Sequence, residues 1–287
     1  VWCSFARGYQ GLNLFEILPL SSMSAPMLDA HQVVLLGEAP VTQVQADLLA
    51  AWVTNGGHLI AMKPDSLLGP LLGWTALSST LAEAYLRIDT GSLPGKGIAG
   101  DTMQSHGVAD LYTPTDCAAI ATLYSTASVA TTSPAVCTRT LGTGSASGFA
   151  FDLARSVVYT HQGNPAWAGQ ERDGIPGASL CATYLYSKVY NVMLPWSAIR
   201  SNDMFFPDYI DLNKVAIPQA EEQQRLLANL ILTVNLPNTP LPRFWYLPGN
   251  HKAAIIHTLV RVVLRHMLVP TVCCRMTTTP PRERATQ

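Results

Sequence analysis

Several chemistries are short of their residues in this chain. Neither Ser66 nor Ser105 stands in a Gly-x-Ser-x-Gly turn, and neither has an identifiable base, which argues against a serine-hydrolase triad. The six cysteines, at 3, 117, 137, 181, 273 and 274, form no C-x-x-C pair and have no partnered histidine cluster, which disfavours zinc. Charge is sparse at 13%, and no stretch approaches the roughly 20 uncharged apolar residues of a membrane span. Basic residues are thin in the body: residues 1–250 hold 12 Lys+Arg against 18 Asp+Glu, whereas residues 251–287 hold 6 against 1. Without a basic stripe interleaved with aromatics, nucleic acid is excluded as the expected partner.

What is present is enough apolar material, 48% of 287 residues, for a large core. Its clearest organisation is at 32–65, QVVLLGEAPVTQVQADLLAAWVTNGGHLIAMKPD. Val33-Val34-Leu35-Leu36 has the pattern of a buried strand, Val41 to Asn55 carries helical spacing, Gly56-Gly57 supplies a helix stop, and Leu59-Ile60-Ala61-Met62 is a second buried strand. This predicts a βαβ crossover in which strands 33–36 and 59–62 are adjacent and parallel, with Val44, Leu48, Ala51 and Trp52 on the buried face of the helix. Leu12–Leu18 reads as a strand preceded by the end of a helix, and Leu67–Trp74 as a short helix. From 84 to 160 Thr, Ser, Ala, Gly and Val dominate, with turn signals at Gly91, Pro94-Gly95, Pro114, Pro134 and 142–144. That stretch predicts a β-rich insertion outside the parallel core, returning through Ser156-Val157-Val158-Tyr159. His161 to Asp211 reads as a long irregular connection, and Pro218 to Leu232 as an amphipathic helix. The expected fold class is α/β, a flavodoxin-like parallel sheet flanked by helices with a β-rich insertion. The expected divisions are 1–83, the first half of the core; 84–150, the insertion; 151–240, the return with its long loop and helix; and 241–287, a linker with a basic tail.

A strand ending in Gly37-Glu38, a helix closing on Trp52-Val53-Thr54-Asn55-Gly56-Gly57 and a strand ending in Lys63-Pro64-Asp65 resemble the class I glutamine-amidotransferase-like superfamily. Its trehalose-utilisation-type domains and the middle domain of trimeric bacterial β-galactosidases are the nearer branches. An amidotransferase of this kind needs a Gly-x-Cys-x-Gly elbow after the second strand, and the turn here reads Met62-Lys63-Pro64-Asp65-Ser66, so that chemistry is excluded. GKGIAGDTMQSHGVADLYT (95–113), FDLARSVVYTHQGNPAWAGQERDG (151–174) and DLNKVAIPQAEEQQRLLANLI (211–231) resemble a module of large secreted bacterial proteins, where it precedes carbohydrate-active or polysaccharide-deacetylase-like regions. That resemblance covers roughly residues 10–250 and implies a fold and a context, with no assigned mechanism. It also implies a secreted or periplasmic parent, although Val1-Trp2-Cys3-Ser4 is not a signal peptide. The tail from His251 departs from it and reads as truncated or frame-shifted.

In parallel sheets, ligands gather beyond the carboxyl ends of the strands. The candidate catalytic groups are therefore Glu38 and Asp65 at two strand ends, with His161, Glu171 and Asp173 from the loop that follows residue 160. A base and several carboxylates in one neighbourhood suit general acid–base hydrolysis. The competing reading makes Arg155, Glu171, Arg172 and Asp173 ion pairs that hold a loop, and Glu38 a helix cap. His106, near Asp110, is a third contributor or a hydrogen-bonded loop residue. Asp203, Asp208 and Asp211 are oxygen donors in the number and kind calcium accepts, but turn duty competes, since no D-x-D-x-D-G loop is present. No other cofactor is expected. Cys117 and Cys137 bracket a strand-rich stretch; they pair if the protein is exported, while buried free thiols are the favoured reading.

Two functions follow. One is a hydrolase using carboxylate- or metal-activated water on a sugar derivative or a small ester or lactone. The other is a non-catalytic module that packs against a downstream carbohydrate-active domain or forms a homo-oligomer.

Overall fold

The computed structural model describes Leu12 and residues 15–162, 205–206, 209–210 and 217–238. After a 3-10 turn at Leu20–Ser22 and the short helix α1 (Ala25–Asp29) come strand β1 (Val33–Leu36), helix α2 (Gln43–Thr54) and strand β2 (His58–Met62). β1 and β2 are parallel neighbours, with Val33 opposite His58 and Leu36 opposite Ala61, as the crossover predicts. α2 starts where a capping box fixes it: Thr42 Oγ1 accepts from Gln45 N, and Gln45 Oε1 accepts from Thr42 N at 2.9 Å. The face it buries is Ala46, Leu49, Trp52 and Val53. Of the four residues expected there, Trp52 is buried and Leu48 partly so, while Val44 and Ala51 are exposed. The helix is apolar on more than one side, so spacing alone could not choose among its faces. Gly57 carries no Cβ because the Trp52 ring occupies that space.

A 3-10 turn at Ser66–Leu68 and helix α3 (Gly69–Leu72) follow, as the reading of 67–74 expects. Then come β3 (Trp74–Ala82), β4 (Tyr85–Ile88), β5 (Met103–Gln104), β6 (Val108–Pro114), β7 (Ala118–Tyr124), β8 (Ala130–Leu141) and β9 (Gly144–Phe149). Residues 84–150 are thus largely β-structure. They are not a separate layer, however. The main sheet has seven strands in the order β1-β2-β9-β8-β7-β4-β5, and only β6 leaves it, pairing with β3 in a two-stranded ribbon. β1, β2 and β9 are parallel, and the remaining ladders are antiparallel. The sheet is therefore mixed rather than the parallel flavodoxin-like sheet expected. The cause is local: β8 and β9 are joined by the two residues Gly142-Thr143, a connection that only antiparallel neighbours can use.

The return to the parallel core is β9, GSASGF, instead of 156–159. Its small residues are a packing requirement, since a Cβ on Gly148 would enter the Trp74 ring. Residues 156–159 lie in helix α4 (Leu153–Gln162), where Leu153, Ser156 and Val157 share the buried side. Leu12 and residues 15–19 are not a strand. β10 (Phe205–Phe206) and β11 (Tyr209–Ile210) form a two-stranded antiparallel ribbon, and helix α5 (Gln219–Asn235) is the helix expected from Pro218 onward.

α5 packs against α4, and a buried polar seam fixes it to the loop around β5. Gln219 Oε1 accepts from Gln104 N at 2.7 Å, Gln223 Nε2 donates to Gln104 O at 2.8 Å, and Ser156 Oγ donates to Gln223 Oε1 at 2.9 Å. Every partner in that seam is hydrogen-bonded, as buried polar atoms must be to avoid a desolvation penalty. Cys117 and Cys137 are joined in a disulfide, with Cα atoms 5.9 Å apart, which corrects the free-thiol reading. Antiparallel pairing of β7 with β8 sets Ala119 opposite Cys137 and so brings the two thiols together.

Candidate active site

Three chain segments converge at the carboxyl end of the parallel strands. Lys63 N donates to Phe149 O at 2.8 Å, and Asp110 N donates to Ala150 O at 2.9 Å, so β2 and the ribbon strand β6 are tied to consecutive carbonyls at the end of β9. The side chains carried by these anchors interact. Glu38, just past β1, accepts from Lys63 Nζ at 2.8 Å through Oε1 and pairs with Arg155 at 3.3 Å through Oε2. Arg155, in the first turn of α4, also lies 3.7 Å from Asp152 Oδ2. The rim thus holds Glu38, Lys63, Asp65, Asp110, Asp152 and Arg155.

Lys63 has a left-handed backbone, φ 42°, and is followed by proline. Left-handed geometry in a non-glycine residue is uncommon and is stored where surrounding structure enforces it. At this point Lys63 N is tied to Phe149 O. Asp110 has its carboxyl pKa raised above the usual 3.8: burial is the main cause, the Lys63 charge opposes it, and the Glu38 charge adds to it. Two residues on, the Tyr112 hydroxyl is pushed up by burial first and then by the Asp110 and Asp65 charges. Tyr112 stacks on Trp74 with ring centroids 4.1 Å apart, and its hydroxyl donates to Pro64 O at 3.4 Å.

Of the residues expected from sequence, Glu38 lies at this rim, paired with Lys63 and Arg155, and Asp65 follows β2. Asp65 caps the following turn, accepting from Leu67 N at 2.9 Å. His161 is on α4 instead of at a strand end, and it pairs with Glu221 of α5 at 3.2 Å. Six residues separate it from Arg155, roughly 9 Å of helix, so α4 carries it away from the rim. Glu171 and Asp173, and with them the calcium candidates Asp203, Asp208 and Asp211, lie outside the described residues. Among the described residues, no group of three or more His, Cys, Asp or Glu side chains could hold a metal ion. His106 bonds Glu83 at 2.8 Å and is buried, the arrangement of a hydrogen-bonded loop residue.

The rim residues not among the expected catalytic groups are Lys63, Asp110, Asp152 and Arg155. Lys63 was visible only as part of the turn Met62-Lys63-Pro64-Asp65-Ser66, which lacks a nucleophile elbow. Asp110 comes from a ribbon whose pairing no local pattern announces, so nothing in the sequence linked it to Glu38.

No protein-family model matches the chain, and no curated protein matches it. The resemblance to the glutamine-amidotransferase-like superfamily accordingly stays a resemblance. Among solved structures, the chain is similar to the beta-galactosidase of Rahnella sp. R3, at 19% identity and TM-score 0.43 over 50% of this chain and 23% of that one. It is similar to the beta-galactosidase of Bacillus circulans sp. alkalophilus at 12% identity and TM-score 0.43, over 59% and 28%. A carbohydrate deacetylase is similar at 17% identity and TM-score 0.40, over 53% and 27%. The match spans about a quarter of the length of each of these proteins, and likeness at this level assigns no reaction to the chain.

Proposed function

We propose that the chain is a hydrolase that activates water with a carboxylate at the carboxyl rim of β1, β2 and β9, acting on a sugar derivative or a small ester or lactone. The observation that carries this reading is Asp110. Its backbone is anchored at the end of β9, its carboxyl lies in the field of Lys63 and Glu38, and burial moves its pKa toward the range in which a carboxylate is an effective base. Glu38 acts differently. Held by both Lys63 and Arg155, it fixes the two cations in place.

The second reading, a non-catalytic module of a larger carbohydrate-active protein, is favoured by the structural duties of the sequence candidates. Asp65 caps a turn, His161 pairs with Glu221, and Glu38 is paired twice. The Cys117–Cys137 disulfide supports an oxidising compartment under either reading, in keeping with a secreted or periplasmic parent.

The deciding experiment compares the wild-type chain with D110N on a panel of 4-nitrophenyl esters and glycosides. The hydrolase reading expects turnover by the wild type and a loss of about a hundredfold or more in D110N. No turnover by the wild type leaves the module reading in front, and turnover with an unchanged rate in D110N removes Asp110 from the reaction.

A further inference from the structure

We infer that the outer edge of β1 is an interface between two copies of this chain, joined antiparallel about a two-fold axis at Val34. The inference is independent of the hydrolase reading and holds equally for a non-catalytic module.

The main sheet has two edge strands, β5 and β1, and they are finished differently. At β5 the outward backbone groups of Gln104 are taken up by side chains of α5. Its N–H donates to Gln219 Oε1 at 2.7 Å, and its carbonyl accepts from Gln223 Nε2 at 2.8 Å. Two glutamine amides thus stand where a further strand would. β1 is not finished in this way. His58 N donates to Gln32 O at 3.0 Å, and the parallel register sets Val33 opposite His58. In that pattern the even-numbered residues of β1 bond to β2, and the N–H and C=O groups of Val33 and Leu35 point away from the sheet. Among the described residues, nothing hydrogen-bonds to these outward groups. Helix α5 lies against β1, yet Leu35 remains 39% exposed.

Unpaired N–H and C=O groups along an edge are a template for another strand, and folded proteins blunt them with charge, proline, bulges or a covering element. β3, the long outer strand of the ribbon, carries such a device, since its register breaks between Ala76 and Thr80. Val33-Val34-Leu35-Leu36 holds no charge and no proline, and it pairs with β2 in unbroken register. An open, apolar, regular edge is a surface for strand addition.

The sequence of the strand selects a second copy as the occupant. With the axis at Val34, Val33 of each copy meets Leu35 of the other, and each such pair exchanges two N–H···O=C bonds. The outward groups of both copies are then satisfied. Val34 faces its own counterpart, Gln32 faces Leu36, and the acidic Glu38 falls opposite Ala30, so no like charges are opposed. Because the same patch serves on both sides, the assembly closes at two. A paired edge of Val33–Leu36 alone is small, which places the dimer in the weak, reversible class.

The test uses the full chain with free thiols alkylated by iodoacetamide, so that no intermolecular disulfide contributes. Wild type is compared with L35K and, as a control, L77K on β3. Sedimentation equilibrium from about 5 to about 500 µM should show the wild type rising from 31.0 kDa toward twice that mass. L35K should raise the dissociation constant by about tenfold or more, and L77K should leave it unchanged. Thermal midpoints of the three proteins establish that each is folded. Amide hydrogen exchange of the wild type locates the contact without any substitution. Val33 and Leu35 should be protected at the high concentration and exchange freely at the low one, while Val34 and Leu36 stay protected at both. A monomer mass throughout would overturn the inference, as would a dimer that L77K disrupts and L35K does not. Protection of Val33 and Leu35 at every concentration would overturn it too, because the chain itself would then cover the edge.

Discussion

Asp110 and His58 carry opposite pH signatures, and each is a consequence of where its backbone sits. Asp110 has a raised pKa in the folded chain, so between 3.8 and that higher value the folded state binds more protons than the unfolded one. Its contribution to stability is full below 3.8 and is lost as pH rises through the folded pKa. His58, at the start of β2, has Nδ1 2.9 Å from Ser145 Oγ on β9, and burial lowers its pKa below the usual 6.5. Here the unfolded state binds more protons, so stability present above 6.5 is lost as pH falls through the lowered value. Thermal midpoints measured from pH 3 to pH 8 should therefore show two separable slopes. D110N should remove the decline on the rising side of the acid range, and H58N should remove the loss on acidification below neutrality. If either variant tracks the wild type at every pH, the electrostatic placement of that residue is wrong.

At the scale of elements, the β7–β8 pair is the irregular part of the sheet. Its register shifts at three places between Ala119 and Tyr124, and Pro134 sits within β8. Proline removes a ladder hydrogen bond, so this pair has fewer backbone ties than its length suggests. The Cys117–Cys137 disulfide, closing a separation of 20 residues, compensates by restricting the unfolded chain. The double variant C117S/C137S should lose about 3 kcal/mol in denaturant unfolding, read from the transition midpoint in non-reducing buffer. An unchanged midpoint would mean that the cross-link is absent or irrelevant to the fold. The sequence announced these strands through β-branched residues and turn signals, but not their partners. Pairing depends on register over many residues, and a thiol pair across two strands becomes visible only once that register is known. α2 shows the same limit in miniature: its existence and ends follow from Thr42, Gln45 and Gly56-Gly57, whereas its buried face depends on what the sheet presents to it.

For the whole molecule, the crossover 32–65 was legible because its signals are local: two apolar runs, a capped helix and a glycine stop. From those alone the carboxyl rim and Glu38 could be placed. The mixed sheet was not legible, since β9 reaches the parallel core with small residues, GSASGF, chosen to fit beneath Trp74 and not to advertise a buried strand. Asp110 arrives at the rim from the ribbon β3–β6, more than forty residues from Lys63 in sequence, through a backbone bond to Ala150. A site assembled from β1, β2, β9, α4 and a separate ribbon is a property of the complete fold, and the carboxyl that the account relies on is the one least visible in sequence. The measurement that bears on it most directly is the pH dependence of kcat/KM for 4-nitrophenyl acetate, with D110N alongside. The account predicts a rate that falls on acidification with a midpoint above the ordinary carboxylate value of 3.8, and a D110N profile without that limb. A midpoint at or below the ordinary value, or the same limb in D110N, would contradict it.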